Sequence, residues 1–112
     1  MIDIKLWIDD TRPAPVEYYW CKTVNQAKRF IEGQEQVCAT YLPGKAGCLE
    51  IELIDLDHDA GDYACFGGDY IRLLDWLEET GRSYPIHIHS QNPVGVQNMR
   101  AIIERNGWTE VR

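Results

Sequence analysis

A chain of 112 residues is one domain's worth of sequence, enough to bury a single core without a metal or a disulfide to hold it together. Eighteen Asp and Glu against eleven Lys and Arg give a formal net charge of −7, which argues against broad adhesion to nucleic acid or anionic membrane while leaving room for a small phosphate at a local site. The apolar runs are too short to span a bilayer and the N-terminus lacks the basic and apolar regions of a secretory signal, so a soluble, cytoplasmic protein is expected.

In chain order, Ile2 to Ile8 reads as a strand stopped by Asp9-Asp10, followed by a loop over Thr11-Arg12-Pro13-Ala14-Pro15. Val16 to Cys21 is aromatic and β-prone. Thr23 is placed to cap a helix from Val24 to Glu32 that ends at Gly33. Gln36 to Tyr41 and Cys48 to Ile54 flank the turn-rich Leu42 to Gly47, which predicts a hairpin insertion near residues 34–50 leading into a strand that stops at Asp57. Gly67-Gly68 precede an amphipathic helix over Tyr70 to Thr80 closed by Gly81. Pro85 to His89 reads as a short strand, Asn92-Pro93 as the start of a helix to Asn106 with Gly107 behind it, and Trp108 to Val111 as a last strand. Such alternation implies a mainly parallel α/β sheet with right-handed crossovers and helices on both faces. Cys21, Cys38, Cys48 and Cys65 show no Cys-x-x-Cys spacing and are expected to be reduced, mostly structural thiols.

Three clusters close strand-like runs: Asp9-Asp10, Asp57-His58-Asp59 and His87-Ile88-His89-Ser90. Ends of successive parallel strands meet along one sheet edge, so these groups are expected to converge there. Carboxylates brought together need a proton, a basic partner or a cation. A magnesium ion, or manganese in its place, suits Asp9, Asp10 and Asp57, with Asp59 either joining them or orienting His58. The competing reading makes Asp9-Asp10 a loop start with Arg12 as counter-ion; Arg12 equally suits bidentate binding of a phosphate.

All three histidines lie in these clusters. On a strand His87 and His89 share a face, so a proton-transferring pair, a His-x-His metal site or, for His87, a hydrogen-bonded core residue are all open. Ser90, Asn92 and the N–H groups of the helix that follows can face an anion, or Ser90 and Asn92 simply cap that helix. The run Tyr18-Tyr19-Trp20 is either a packed strand or a stacking surface for a base.

Asp-Asp after the first strand, an Asp after a central strand and a Ser after the next resemble the site of response-regulator receiver domains, although no lysine stands near the C-terminus where a receiver keeps its phosphate-contacting one. The fuller strings Leu6-Trp7-Ile8-Asp9-Asp10-Thr11-Arg12-Pro13, Leu56-Asp57-His58-Asp59-Ala60-Gly61 and His87-Ile88-His89-Ser90-Gln91-Asn92-Pro93, with Asn98-Met99, are similar to the divergent cyclic-phosphate processing receiver-like domains, with Ala60 in place of a usual leucine. The resemblance implies a three-layer, flavodoxin-like sandwich with a five-stranded sheet of order 2-1-3-4-5 and a role in processing cyclic phosphate ends of RNA or nucleotides. Asp9, Asp10 and Asp57 would hold the ion, His58 and His89 would serve as acid and base, Ser90 and Arg12 would orient phosphate oxygens, and Asn92 and His87 would contact substrate. A phospho-accepting or non-catalytic receiver-like signalling or binding module is the alternative.

Overall fold

The computed structural model describes residues 4–41 and 50–112. Four strands, β1 (Ile4–Ile8), β2 (Tyr18–Cys21), β3 (Ile51–Leu56) and β4 (Ile86–Ile88), form one parallel sheet in the order β2-β1-β3-β4. Helix α1 (Val24–Tyr41) follows β2, a short 3₁₀ helix (Gly61–Phe66) and α2 (Ile71–Glu79) follow β3, and α3 (Pro93–Asn106) follows β4. Among the described residues no helix is long and apolar enough to cross a membrane.

The period-2 alternation of the strands sets the two faces of the sheet. The register aligns Leu6 with Ile54 and Ile54 with Ile86, and Ile8 with both Cys21 and Leu56, so one face is an unbroken apolar surface. Those six side chains are fully buried, together with Val24, Ala27 and Ile31 of α1, Leu73, Leu74 and Leu77 of α2, and Met99 of α3. After β2 every step of the strand order runs in the same direction, and a right-handed crossover then carries each helix to the same side. In keeping with this, α2 packs against both α1 and α3. Helices were expected on both faces; among the described residues they form one layer. The physical reason is the β1–β2 connection, the one step in the opposite direction, which is a loop and not a helix. The other face therefore carries Lys5, Trp7, Tyr18, Trp20, Leu53, Asp55 and His87, of which only Asp55 is buried.

Three further expectations change. The first helix does not stop at Gly33 but continues to Tyr41, so the first arm of the expected hairpin, Gln36 to Tyr41, is helical. A helical glycine costs only about 1 kcal/mol against alanine, and a tertiary anchor offsets it: the Glu35 carboxylate accepts from Arg82 Nε at 2.9 and 3.2 Å and from the Tyr84 hydroxyl. The remainder of that hairpin, residues 42–49, lies outside the described residues. The strand expected from Val16 begins at Tyr18, because Val16 and Glu17 form a turn closed by the Tyr18 N–H on the Pro15 carbonyl at 3.2 Å. The last strand is reduced to one parallel bridge between Ile86 and Glu110, beside β4 where a fifth strand would stand. Its two backbone hydrogen bonds both go to Ile86, the first residue of a strand only three residues long.

The start of α1 and both ends of α3 follow sequence expectation. Thr23 Oγ1 accepts the Gln26 N–H at 2.9 Å, Asn92 Oδ1 accepts the Gly95 N–H at 3.0 Å, and Gly107 ends α3 at φ +67°. Of the thiols whose surroundings are described, Cys21 is buried and Cys65 exposed, both unpaired; burial pushes the Cys21 thiol up to about 12.

A β-carbon at Gly33 would meet nothing within 4 Å. Gly33→Ala is therefore expected to stabilise the protein by about 0.5–1 kcal/mol in urea denaturation; a destabilised variant would contradict a helix running through this position.

Candidate functional site

The C-terminal ends of β1, β3 and β4 bring the three clusters together. Asp9 follows β1 and is fully buried. Its Oδ1 accepts the N–H groups of Thr11 at 2.9 Å and Arg12 at 3.0 Å, which turns the chain back on itself, and its Oδ2 lies 2.8 Å from His89 Nε2. Two indoles on the helix-free face hold the loop from the other side. Trp20 Nε1 donates to the Asp9 carbonyl at 2.8 Å and Trp7 Nε1 to the Arg12 carbonyl at 2.9 Å.

His89 sits between two carboxylates. Its Nδ1 is 2.6 Å from Asp55 Oδ1, its Nε2 faces Asp9, and Trp7 stacks on its ring at 3.9 Å with an interplanar angle of 3°. The His89 side chain is 10% exposed, that of Asp55 7% and that of Asp9 0%. With a carboxylate oxygen at each nitrogen the ring donates to both when protonated, as an imidazolium lying on an indole face that favours cations. Burial pushes the His89 pKa down, but Asp55 and Asp9 outweigh it and hold it above the ordinary 6.5. Burial likewise pushes Asp9 up, and the Arg12 and Thr11 N–H groups with His89 outweigh that and hold it below 3.8. Asp55 Oδ1 also takes His87 Nδ1 at 2.8 Å, so His87, Asp55, His89 and Asp9 form one chain across the sheet.

One carboxylate oxygen each from Asp9 and Asp57 and one ring nitrogen of His89 lie within 4.8 Å of one another, a group that can hold a metal ion. Of the acids expected to share an ion, Asp10 and Asp59 stand outside this group. Asp10 lies against Gly61, where a β-carbon would come within 2.5 Å of its Oδ2 and where φ is +56°, so the backbone conformation favours glycine in the Asp57–Gly61 string, and a side chain there would push the Asp10 carboxylate aside. Burial raises the Asp10 pKa, and the Asp9 and Asp57 charges raise it further against its own backbone N–H. Asp59 is turned to His58, its Oδ1 2.8 Å from His58 Nδ1, and Asn92 Nδ2 approaches both its oxygens at 3.4 Å.

The rest of the predicted set falls as follows. Asp57 Oδ1 accepts the His58 N–H at 2.7 Å, which fixes the histidine next to the acid group. The His58 ring packs so closely on the first turn of α3 that a β-carbon at Gly95 would lie 2.5 Å from its Cγ. Ser90 Oγ accepts the Asn92 N–H at 3.1 Å. Arg12 is exposed at the rim, its Nη1 on the His89 carbonyl at 3.1 Å. His87 points to the helix-free face with Asp55. Tyr18 meets Trp7 edge-on at 5.8 Å and Tyr19 stacks on Phe30 at 4.2 Å, so the aromatic run is engaged in packing.

Asp55 is the site residue that sequence reading missed. Its signal was an acid inside an apolar strand, two positions before Asp57 and so on the same face as the His-x-His pair of the next strand.

The sequence profile of a family described as the cyclic-phosphate processing receiver domain matches residues 4–105. No curated protein and no solved structure matches the chain significantly.

The His89 bridge contributes stability in full below pH 6.5 and loses it as pH rises through the raised folded pKa. In chelator-containing buffer the stability difference between the wild type and His89→Gln is expected to shrink steadily above pH 6.5 in urea titrations. A difference independent of pH would contradict a bridging imidazolium.

Proposed function

The chain belongs to the family of cyclic-phosphate processing receiver domains, and on that basis we propose that it opens cyclic phosphate ends of RNA or nucleotides by metal-assisted hydrolysis. The observation that carries this reading is the Asp9–Asp57–His89 group at the sheet edge, with a second histidine–carboxylate pair beside it. The donor set fits a divalent cation, because two carboxylates and an imidazole converge from three strand ends. Bound there, such an ion supplies charge neutralisation at a phosphoryl oxygen and a lowered pKa for water.

The chain's own groups divide the remaining work. His58 is the acid–base residue of this reading. Asp59 holds its Nδ1, the base-plus-orienting-carboxylate arrangement of many hydrolytic sites, and leaves Nε2 for substrate. Water adds to phosphorus and passes a proton to His58; the ring P–O bond breaks, and the proton returns to the departing ribose oxygen. His89 has both nitrogens engaged by carboxylates, so it sets the charge and position of Asp9 instead of shuttling protons. Arg12 at the rim and the Ser90 hydroxyl orient phosphate oxygens. Asn92 serves through its cap of α3 and its reach to Asp59, and His87, bonded to Asp55, supports the bridge in this reading. The net charge of −7 favours a single nucleotide or a chain end over a long duplex.

With 2′,3′-cyclic nucleotides and magnesium or manganese, the wild type is expected to release the ring-opened monophosphate. His58→Gln should lose about 10²-fold or more in kcat at an unchanged fold, and Asp57→Asn the metal dependence as well. Metal binding without turnover, accompanied by labelling of Asp57 from acetyl phosphate, would replace this reading with a phospho-accepting one.

A further inference from the structure

A receiver-type acid pocket offers oxygen donors; this one also has a nitrogen donor, and a carboxylate behind that nitrogen. Asp55 Oδ1 accepts from His89 Nδ1 at 2.6 Å and Asp55 is itself buried, which fixes the ring so that Nε2 is the atom facing Asp9, in the residue group that also includes Asp57. A carboxylate behind the far nitrogen of a histidine is the usual support of a metal-binding imidazole, because it sets the tautomer and raises the basicity of the other nitrogen. Trp7, stacked on the same ring and tied by its Nε1 to the Arg12 carbonyl, leaves the imidazole no freedom to turn away. The spacing is nearly that of a coordination edge. Bonds of about 2.1 Å put neighbouring octahedral ligand atoms about 3.0 Å apart, and Asp9 Oδ2 and His89 Nε2 stand at 2.8 Å.

Resting on the metal-assisted reading above, we infer that the site takes a divalent transition metal in preference to magnesium, through Asp9, Asp57 and Nε2 of His89, with Asp55 as the positioning residue that presents the ring. Magnesium favours an all-oxygen octahedron, whereas manganese, cobalt and zinc accept imidazole nitrogen readily. On binding, the ion takes the place of the Nε2 proton, which leaves to solvent, and Nδ1 keeps its proton on Asp55. Two carboxylates then face one dication where they had faced one imidazolium.

The test uses the metals alone, with no phosphate present. Pulsed EPR of Mn²⁺ bound to the wild-type chain should show coupling to a directly bound histidine nitrogen, and calorimetry should give Co²⁺ and Zn²⁺ affinities at least about 10-fold above that of Mg²⁺. His89→Gln and Asp55→Asn should each lose about 10-fold or more of the Co²⁺ and Zn²⁺ affinity and little of that for Mg²⁺. The EPR signal is read on the unaltered protein, so it stands even where a variant folds poorly. Absence of nitrogen coupling, equal affinity for Mg²⁺, or no binding of any ion overturns the inference. Magnesium-supported opening of cyclic phosphates without nitrogen coupling would sink it and leave the proposed activity standing; nitrogen coupling without turnover would do the reverse.

Discussion

The arrangement depends on one buried histidine. His89 lies nine-tenths buried between the carboxylates of Asp55 and Asp9, which are themselves almost wholly removed from water. Buried charges are tolerable only when paired and hydrogen-bonded, and here each partner is held by a second contact. Asp9 is fixed by two backbone N–H groups, Asp55 by His87, and the ring by Trp7. Because these groups come from three parallel strands, the bridge also fixes the relative position of the strand ends at the edge where Asp10, Asp57 and His58 emerge.

The same interactions explain how the sheet does without a crossover helix between β1 and β2. Neighbouring parallel strands usually need a connection of about a dozen residues or more. Here the short loop after Asp9 suffices because the Asp9 carboxylate caps its start and two indole N–H groups pin its carbonyls. The consequence is a helix-free face on which Trp7 and Trp20 do structural work for the site on the adjoining edge. Function and fold are joined at this loop, since the residue that begins it is also the first of the candidate metal ligands.

What the sequence made legible follows from the range of the physics involved. Strand ends marked by Asp-Asp, Asp57 and His-x-His-Ser, and helix caps at Thr23, Asn92 and Gly107, are local signals, and each falls where expected. Gly33 was misleading because its weak local preference yields to the contacts of Glu35 with Arg82 and Tyr84, almost fifty residues away in the chain. Asp55 was passed over for a related reason. A lone acid in an apolar strand announces itself only when the register places it opposite His87 and beside His89. Likewise, nothing local separates Asp9 from Asp10, yet one carboxylate is folded into the bridge and held below its ordinary pKa, while the other, against Gly61, is held above it.

The charge state of His89 is central, and ¹⁵N NMR of the histidine rings at about pH 6, below the ordinary 6.5 that the two carboxylates raise, reads it directly with and without Zn²⁺. Without the ion both nitrogens of His89 should be protonated; with it, Nε2 should lose its proton to the metal while Nδ1 keeps its own on Asp55. A neutral ring in the ion-free protein, or a doubly protonated ring that Zn²⁺ leaves unchanged, would contradict the structure's electrostatic logic and the function built on it.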